Sequence, residues 1–205
     1  MNETTPSVQE DLAFMRALAG GGGTSFLRNF GEVYLATGAC YSIQILGHGA
    51  QLAFGWFTEP LAASILGGGP TVVVLTLIAW INWRRRNSSG TSTVAKAVGA
   101  MFGAVGIANL VMVAIVGVQA WRMQSLQVWL IYPCIVMAFQ GAAWTAAWTL
   151  RRRAWMGLVG VGWFATAMAM GATIPNMTGY LFALLAGLVL CMVLPGYAMM
   201  RTFRA

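Results

Sequence analysis

The 205-residue chain is 59% hydrophobic and only 8% charged. Soluble domains carry roughly 25% charged residues, so the chain lacks the charge to cover a water-facing surface, and its size allows one domain. The formal charge of +7 invites a nucleic-acid reading, but the basic residues gather at the ends of apolar runs, where membrane topology explains them.

The opening Met1-Asn2-Glu3-Thr4-Thr5 is polar and acidic. It lacks the basic-then-apolar order of a cleavable signal peptide, so the first span is expected to direct its own insertion. Residues 7–19 read as a short amphipathic helix. Ser7 and Glu10 form a capping box, and Val8, Leu12, Met15 and Ala19 recur at helical spacing. Gly20 to Gly23 are expected to end it, because a run of glycines pays heavily in backbone entropy. Residues 1–30 are thus expected to form a cytoplasmic amphipathic segment with a glycine linker. Residues 31–205 then form the transmembrane domain.

Six apolar spans follow, at 32–56, 61–83, 95–120, 126–149, 155–174 and 178–200. Each is near the ~20 residues needed to cross the hydrocarbon. The connections are short, so consecutive helices are expected to be antiparallel neighbours. The expected fold is therefore an all-α integral membrane bundle of six helices. Its orientation follows from the basic residues. Arg16 and Arg28 precede the first span; Arg84, Arg85, Arg86 and Lys96 follow the second; Arg151, Arg152 and Arg153 follow the fourth; Arg201 and Arg204 follow the sixth. Only Arg122 of the twelve lies on the other side, which the positive-inside rule reads as both termini in the cytoplasm. The second span closes on Trp80 and Trp83 before its arginines, and the fourth on Trp144 and Trp148. Tryptophan with arginine behind it reads as interfacial anchoring.

The first span carries the best candidate site. Tyr34, Thr37, Tyr41, Gln44, His48 and Gln51 alternate at spacings of three and four, so all six share one helix face. Polar groups are costly toward lipid, so the stripe is expected to face the bundle interior, with Ile43, Leu46 and Ala50 outward. Either the stripe glues helices together by hydrogen bonds, the preferred reading because it is uncharged, or it lines a polar cavity for a solute. Asn109 and Gln119 on the third span and Gln140 on the fourth are further interior candidates that could meet it. His48 is the only histidine, and Cys40, Cys134 and Cys191 lie far apart in apolar runs. That spacing suits neither haem nor a metal site, so no cofactor and no metal are expected. Glu32 follows Arg28 by four residues, the spacing of a local ion pair.

The run Gly67-Gly68-Gly69-Pro70 is expected to kink or unwind the second span. Pro133 and the Ile174-Pro175-Asn176 corner fall on the same outer side. In the third span Gly99 and Gly103, with Ala100, Ala104 and Ala108, make small-residue faces that favour tight helix contact. No nucleophile, metalloprotease or phosphate-loop signature is present, and Asp11 is the only aspartate. An enzyme is therefore not expected, and no catalytic residue is assigned.

The segment Glu10-Asp11-Leu12-Ala13-Phe14-Met15-Arg16-Ala17-Leu18-Ala19 resembles the start of a family of uncharacterised bacterial six-helix inner-membrane proteins. The general plan also resembles that of membrane anti-sigma regulators. The resemblance covers ten residues and carries over no functional residue. It implies a bacterial inner-membrane location. The expected function is a non-catalytic regulatory or scaffolding subunit that sits in the lipid bilayer and engages a membrane or cytoplasmic protein. Homo-oligomers stay open, nucleic acid is not expected, and a small-solute transporter or channel using the first-span stripe is the alternative.

Overall fold

The computed structural model describes residues 8–84 and 93–202, with side chains from Leu27 onward apart from Asn82, Thr93 and Thr202. Ser7 of the capping box, Arg85 and Arg86 of the basic run, and Arg204 lie outside the described residues. Among the described residues every element is helical: α1 (Val8–Phe54), α2 (Pro60–Arg84), α3 (Thr93–Met123), α4 (Leu126–Arg151), α5 (Ala154–Thr173), α6 (Met177–Leu188) and α7 (Leu194–Thr202). A π-helical turn, Val189–Val193, joins α6 to α7, so the last two form one rod. Five helices are long and apolar enough to cross a membrane: α2, α3, α4, α5 and the α6–α7 rod. Length and composition thus define an integral membrane protein. The long first helix is not among the five, because the polar stripe lowers its hydropathy.

One expectation about a helix end fails. Gly20 to Gly23 do not terminate a helix, since α1 runs unbroken from Val8 to Phe54. Each interior glycine costs about 1 kcal/mol relative to alanine, but propagation from an established helix avoids a second nucleation. The Gly67–Pro70 run, expected to kink or unwind α2, does not unwind it: α2 is helical from Pro60 to Arg84 with Pro70 inside. Pro70 removes one backbone donor, and Gln44 of α1 bonds the Gly67 carbonyl in the same turn.

The helix connections are tight. Ser125 Oγ accepts from Val128 N at the start of α4, and Asn176 Oδ1 accepts from Gly179 N at the start of α6. These caps satisfy N–H groups that have no intrahelical partner. Arg152 takes a left-handed conformation (φ 53°) and its N–H bonds to Trp148 O, closing α4. The π turn lies directly before Pro195. Pro195 lacks an N–H, so the Cys191 carbonyl loses its usual donor. Leu194 N–H instead reaches back five residues to Val189 O, a widening of the kind that accommodates such a defect.

Packing is uneven. α4 with α5, α1 with the α6–α7 rod, and α3 with α4 form the main contacts, whereas α2 packs on α1. Among the described residues α2 does not pack along α3 as expected. Only 6% of the apolar stretch of α2 and of α3 is buried, against 22 to 33% in the other three spans. On α3 the faces that pack carry Ala95, Val98 and Val116. The small-residue faces of Gly99, Ala100, Gly103 and Ala104 stay exposed, and a methyl at Gly103 would meet nothing within 4 Å. The expected tight contact through those residues is therefore not made within this chain.

Candidate functional site

The centre of the bundle is an aromatic knot at the arginine-rich end. Tyr34 is 4% exposed, and Trp144 and Trp163 are each 1% exposed. The Tyr34 hydroxyl accepts from Trp144 Nε1 at 2.6 Å and from Trp163 Nε1 at 2.9 Å. One oxygen thereby ties α1 to α4 and α5. Phe30 stacks on Tyr34 with centroids 5.3 Å apart, and Phe102 of α3 meets both Phe30 (4.8 Å) and Trp144 (5.6 Å). Buried indole and phenol groups must find partners, and here they find each other. Trp144 is thus a core residue and not the expected interfacial anchor. Trp148, one turn on, is 43% exposed and keeps the anchoring position. Trp163 carried no signal in the sequence, because nothing marks a tryptophan in an apolar run as a hydrogen-bond donor to a distant tyrosine.

The polar stripe divides. Tyr34 and Thr37 are buried in the core, whereas Tyr41, Gln44, His48 and Gln51 belong to the side that meets α2 or the loop between α1 and α2. A strict heptad spacing drifts about 20° per heptad around a straight helix, which turns the outer residues away from the inner ones. The Tyr41 hydroxyl lies 3.4 Å from Thr71 Oγ1, Gln44 Nε2 donates to Gly67 O at 2.9 Å, and Cys40 Sγ lies 3.8 Å from Pro70 O. His48 Nδ1 is 3.2 Å from Gln51 Oε1, and Gln51 Nε2 donates to Phe57 O at 3.1 Å in the loop after α1. Ile43 and Leu46 are 69% and 57% exposed, so the opposite face looks outward as expected; Ala50 is half-buried.

One rule connects two of these bonds. Gly67 lies three residues before Pro70, and Leu130 three before Pro133. The Tyr180 hydroxyl donates to Leu130 O at 2.8 Å, as Gln44 does to Gly67 O. A proline deletes the N–H that would reach four residues back and pushes that carbonyl aside, which opens the helix at that turn. In lipid the freed backbone groups are re-satisfied by neighbouring helices, by Ser or Thr side chains, by ordered water or by local adjustment of the helix. The carbonyls so freed are those of Leu66 and Trp129; Gln44 and Tyr180 donate to the carbonyl one residue further on.

Asn109 and Gln140 do not join the outer stripe; no hydrogen bond between them and α1 occurs among the described residues. Phe102 against Trp144 and Gly117 against Trp129 fix α3 antiparallel to α4. That register sets Asn109 and Gln140 within one helical turn of each other in height. Asn109 Oδ1 and Gln140 Oε1, like Thr37 Oγ1 and Ser42 Oγ, are buried oxygens without a hydrogen-bond partner among the described residues. Gln119, the remaining candidate of the third span, is exposed. Arg28 Nε and Glu32 Oε1 form the expected i, i+4 pair at 3.5 Å. Among the described residues no cluster of three or more His, Cys, Asp or Glu side chains is placed to hold a metal ion.

The fold and composition define the class, an all-helical integral membrane protein. Comparison with protein families, curated proteins and solved structures gives no match.

Proposed function

We propose that the chain is a non-catalytic, six-span protein of a bacterial inner membrane. In this reading it is a regulatory or scaffolding subunit that engages a partner's transmembrane helix along α2 and α3. The observation that carries the reading is the contrast in packing: the apolar stretches of α2 and α3 are 6% buried while the other three spans pack around the aromatic knot. The exposed small residues on α3 are of the kind that let a second helix approach closely. Replacing Gly103 with Leu should leave the thermal melt unchanged, since nothing lies near that position, yet release the partner from complexes purified in mild detergent. A partner retained at wild-type level by that variant would sink the proposal.

The sixth span in this reading is α1. It runs antiparallel to the α6–α7 rod, with Gly31 against Gly196 and Met199, and Gly38 against Met192 and Val193. A helix lying along a membrane-crossing rod crosses with it. The basic bias then sets both termini in the cytoplasm. Reporter fusions after Arg86, Arg153 and Arg204 are expected to read cytoplasm, and one near Glu59 the outside; a cytoplasmic signal near Glu59 contradicts the topology.

A transporter or channel is the second reading, favoured by the partnerless oxygens of Thr37, Asn109 and Gln140. Cysteines substituted at 109 and 140 in a cysteine-free background separate the two. The leading reading expects no reaction with a small water-soluble thiol reagent, whereas labelling at both positions demands a wet path.

A further inference from the structure

The two helices of the first hairpin touch in their outer half and part in their inner half. The outer bonds pair Tyr41 with Thr71 and Gln44 with Gly67. Continued inward, that antiparallel register brings Arg84 level with Arg28. Between them lies a groove of about 620 Å³, within the roughly 300–1,000 Å³ of small-ligand sites. Its deeper wall is apolar, formed by Ala36, Leu77 and Ile81. Its rim is polar, formed by Arg28, Asn29, Glu32 and Arg84, with Trp80 alongside.

We propose that this groove binds an anionic glycerophospholipid, with the lipid phosphate between Arg28 and Arg84 and an acyl chain along Ala36, Leu77 and Ile81. The charge argument comes first. Among the described residues the lining carries two guanidiniums and one carboxylate, so an excess positive charge remains at the rim. Glu32 pairs with Arg28 at 3.5 Å. Arg84 lies over the Trp80 ring at 5.4 Å. Stacking uses the face of a guanidinium and leaves its in-plane N–H donors for an oxyanion, which arginine binds in a bidentate manner. Two like charges at one height repel, and a phosphate between them removes the repulsion.

The shape argument selects a lipid over a free anion. Polar rim and apolar wall follow each other along the helix axis, as headgroup and chain do in a phospholipid. Trp80 and Arg84 mark the depth of the headgroup region, and basic pockets between transmembrane helices at that level are suited to anionic headgroups. The inference needs only that this end of the hairpin lies at a membrane surface. It does not depend on the partner proposed above.

The test uses the full chain purified in detergent, titrated separately with phosphatidylglycerol, phosphatidylcholine and inorganic phosphate. Thermal melts and native mass spectrometry provide the readouts. Phosphatidylglycerol is expected to raise the melting midpoint and to persist as a one-to-one adduct. Arg84→Gln and Arg28→Gln should each weaken its apparent affinity roughly tenfold, the loss of one charge-assisted contact. Arg152→Gln, at an exposed arginine of the α4–α5 connection, should leave it unchanged. A photoreactive phosphatidylglycerol should crosslink to α1 or α2 of the unaltered protein, a result that needs no variant to fold. Full affinity in both groove variants, equal stabilisation by phosphatidylcholine, protection by inorganic phosphate alone, or crosslinks confined to other helices would each overturn the proposal.

Discussion

Tyr34→Phe is expected to destabilise the bundle by about 2–3 kcal/mol, although it removes a single oxygen. The two indole N–H groups that now bond that oxygen, from Trp144 and Trp163, would be left buried and unpaired. Each orphaned donor costs about 1–3 kcal/mol, and the lower part of that range applies because interhelical bonds in membranes average roughly 0.6 kcal/mol with maxima near 1.7. No cavity forms, so the effect isolates the hydrogen bonds from packing. Tyr41→Phe is the matched control: the same chemical change on the same helix, one heptad further along the polar stripe. Its hydroxyl makes one long 3.4 Å contact to Thr71, beyond the usual O–H···O range of about 2.5–3.0 Å, and its loss should cost under about 0.5 kcal/mol. Thermal unfolding of both variants in one detergent decides the matter. Equal melting points would mean that the knot does not anchor the fold.

The contrast between those two tyrosines shows where sequence reading succeeds and where it stops. Helical spacing places Tyr34 and Tyr41 on one stripe, because the period of an α-helix is written in the chain. Partners are not written there. Trp144 and Trp163 lie 110 and 129 residues away from Tyr34. A tryptophan near an arginine run reads as an anchor whether it points to the headgroups or, as Trp144 does, into the core. The spans themselves are legible through hydropathy, and α2 to α5 lie close to their expected places. The first helix is less so, since the stripe that makes it interesting also lowers its apolar content. Local defects were legible as defects but not as outcomes. Gly67 to Pro70 and Pro133 mark weak turns in the sequence, yet whether a weak turn unwinds depends on a donor arriving from elsewhere. Here Gln44 and Tyr180 bond a carbonyl beside each proline turn, and both helices stay continuous. Of the polar candidates, Tyr41 and Gln44 meet α2, while Asn109 and Gln140 lie on α3 and α4, a division that depends on helix rotation and not on spacing.

Glycine gives the second large effect, and it too depends on partners. The chain holds 25 glycines, and sequence does not tell a glycine at a helix contact from one that faces open space. The structure separates them. A methyl built on Gly196 would sit 2.7 Å from Leu35 N and 2.9 Å from its Cα. Those are backbone atoms, so no rotamer change relieves the overlap and the helices must move apart. Gly31 faces the same seam, where an added methyl would lie 2.9 Å from Gly196 O. Gly196→Ala is therefore expected to cost about 1–3 kcal/mol as an overpacking substitution, and Gly196→Leu to separate α7 from α1 altogether. The seam carries much of the grip of α1 on the last rod, so the leucine variant should fail to give monodisperse protein in detergent. Gly103→Leu makes the same substitution where no atom lies within 4 Å, and should purify and melt like the unaltered chain. Size-exclusion profiles and thermal melts of the three variants check the ordering, which fails if Gly196→Leu behaves as well as Gly103→Leu.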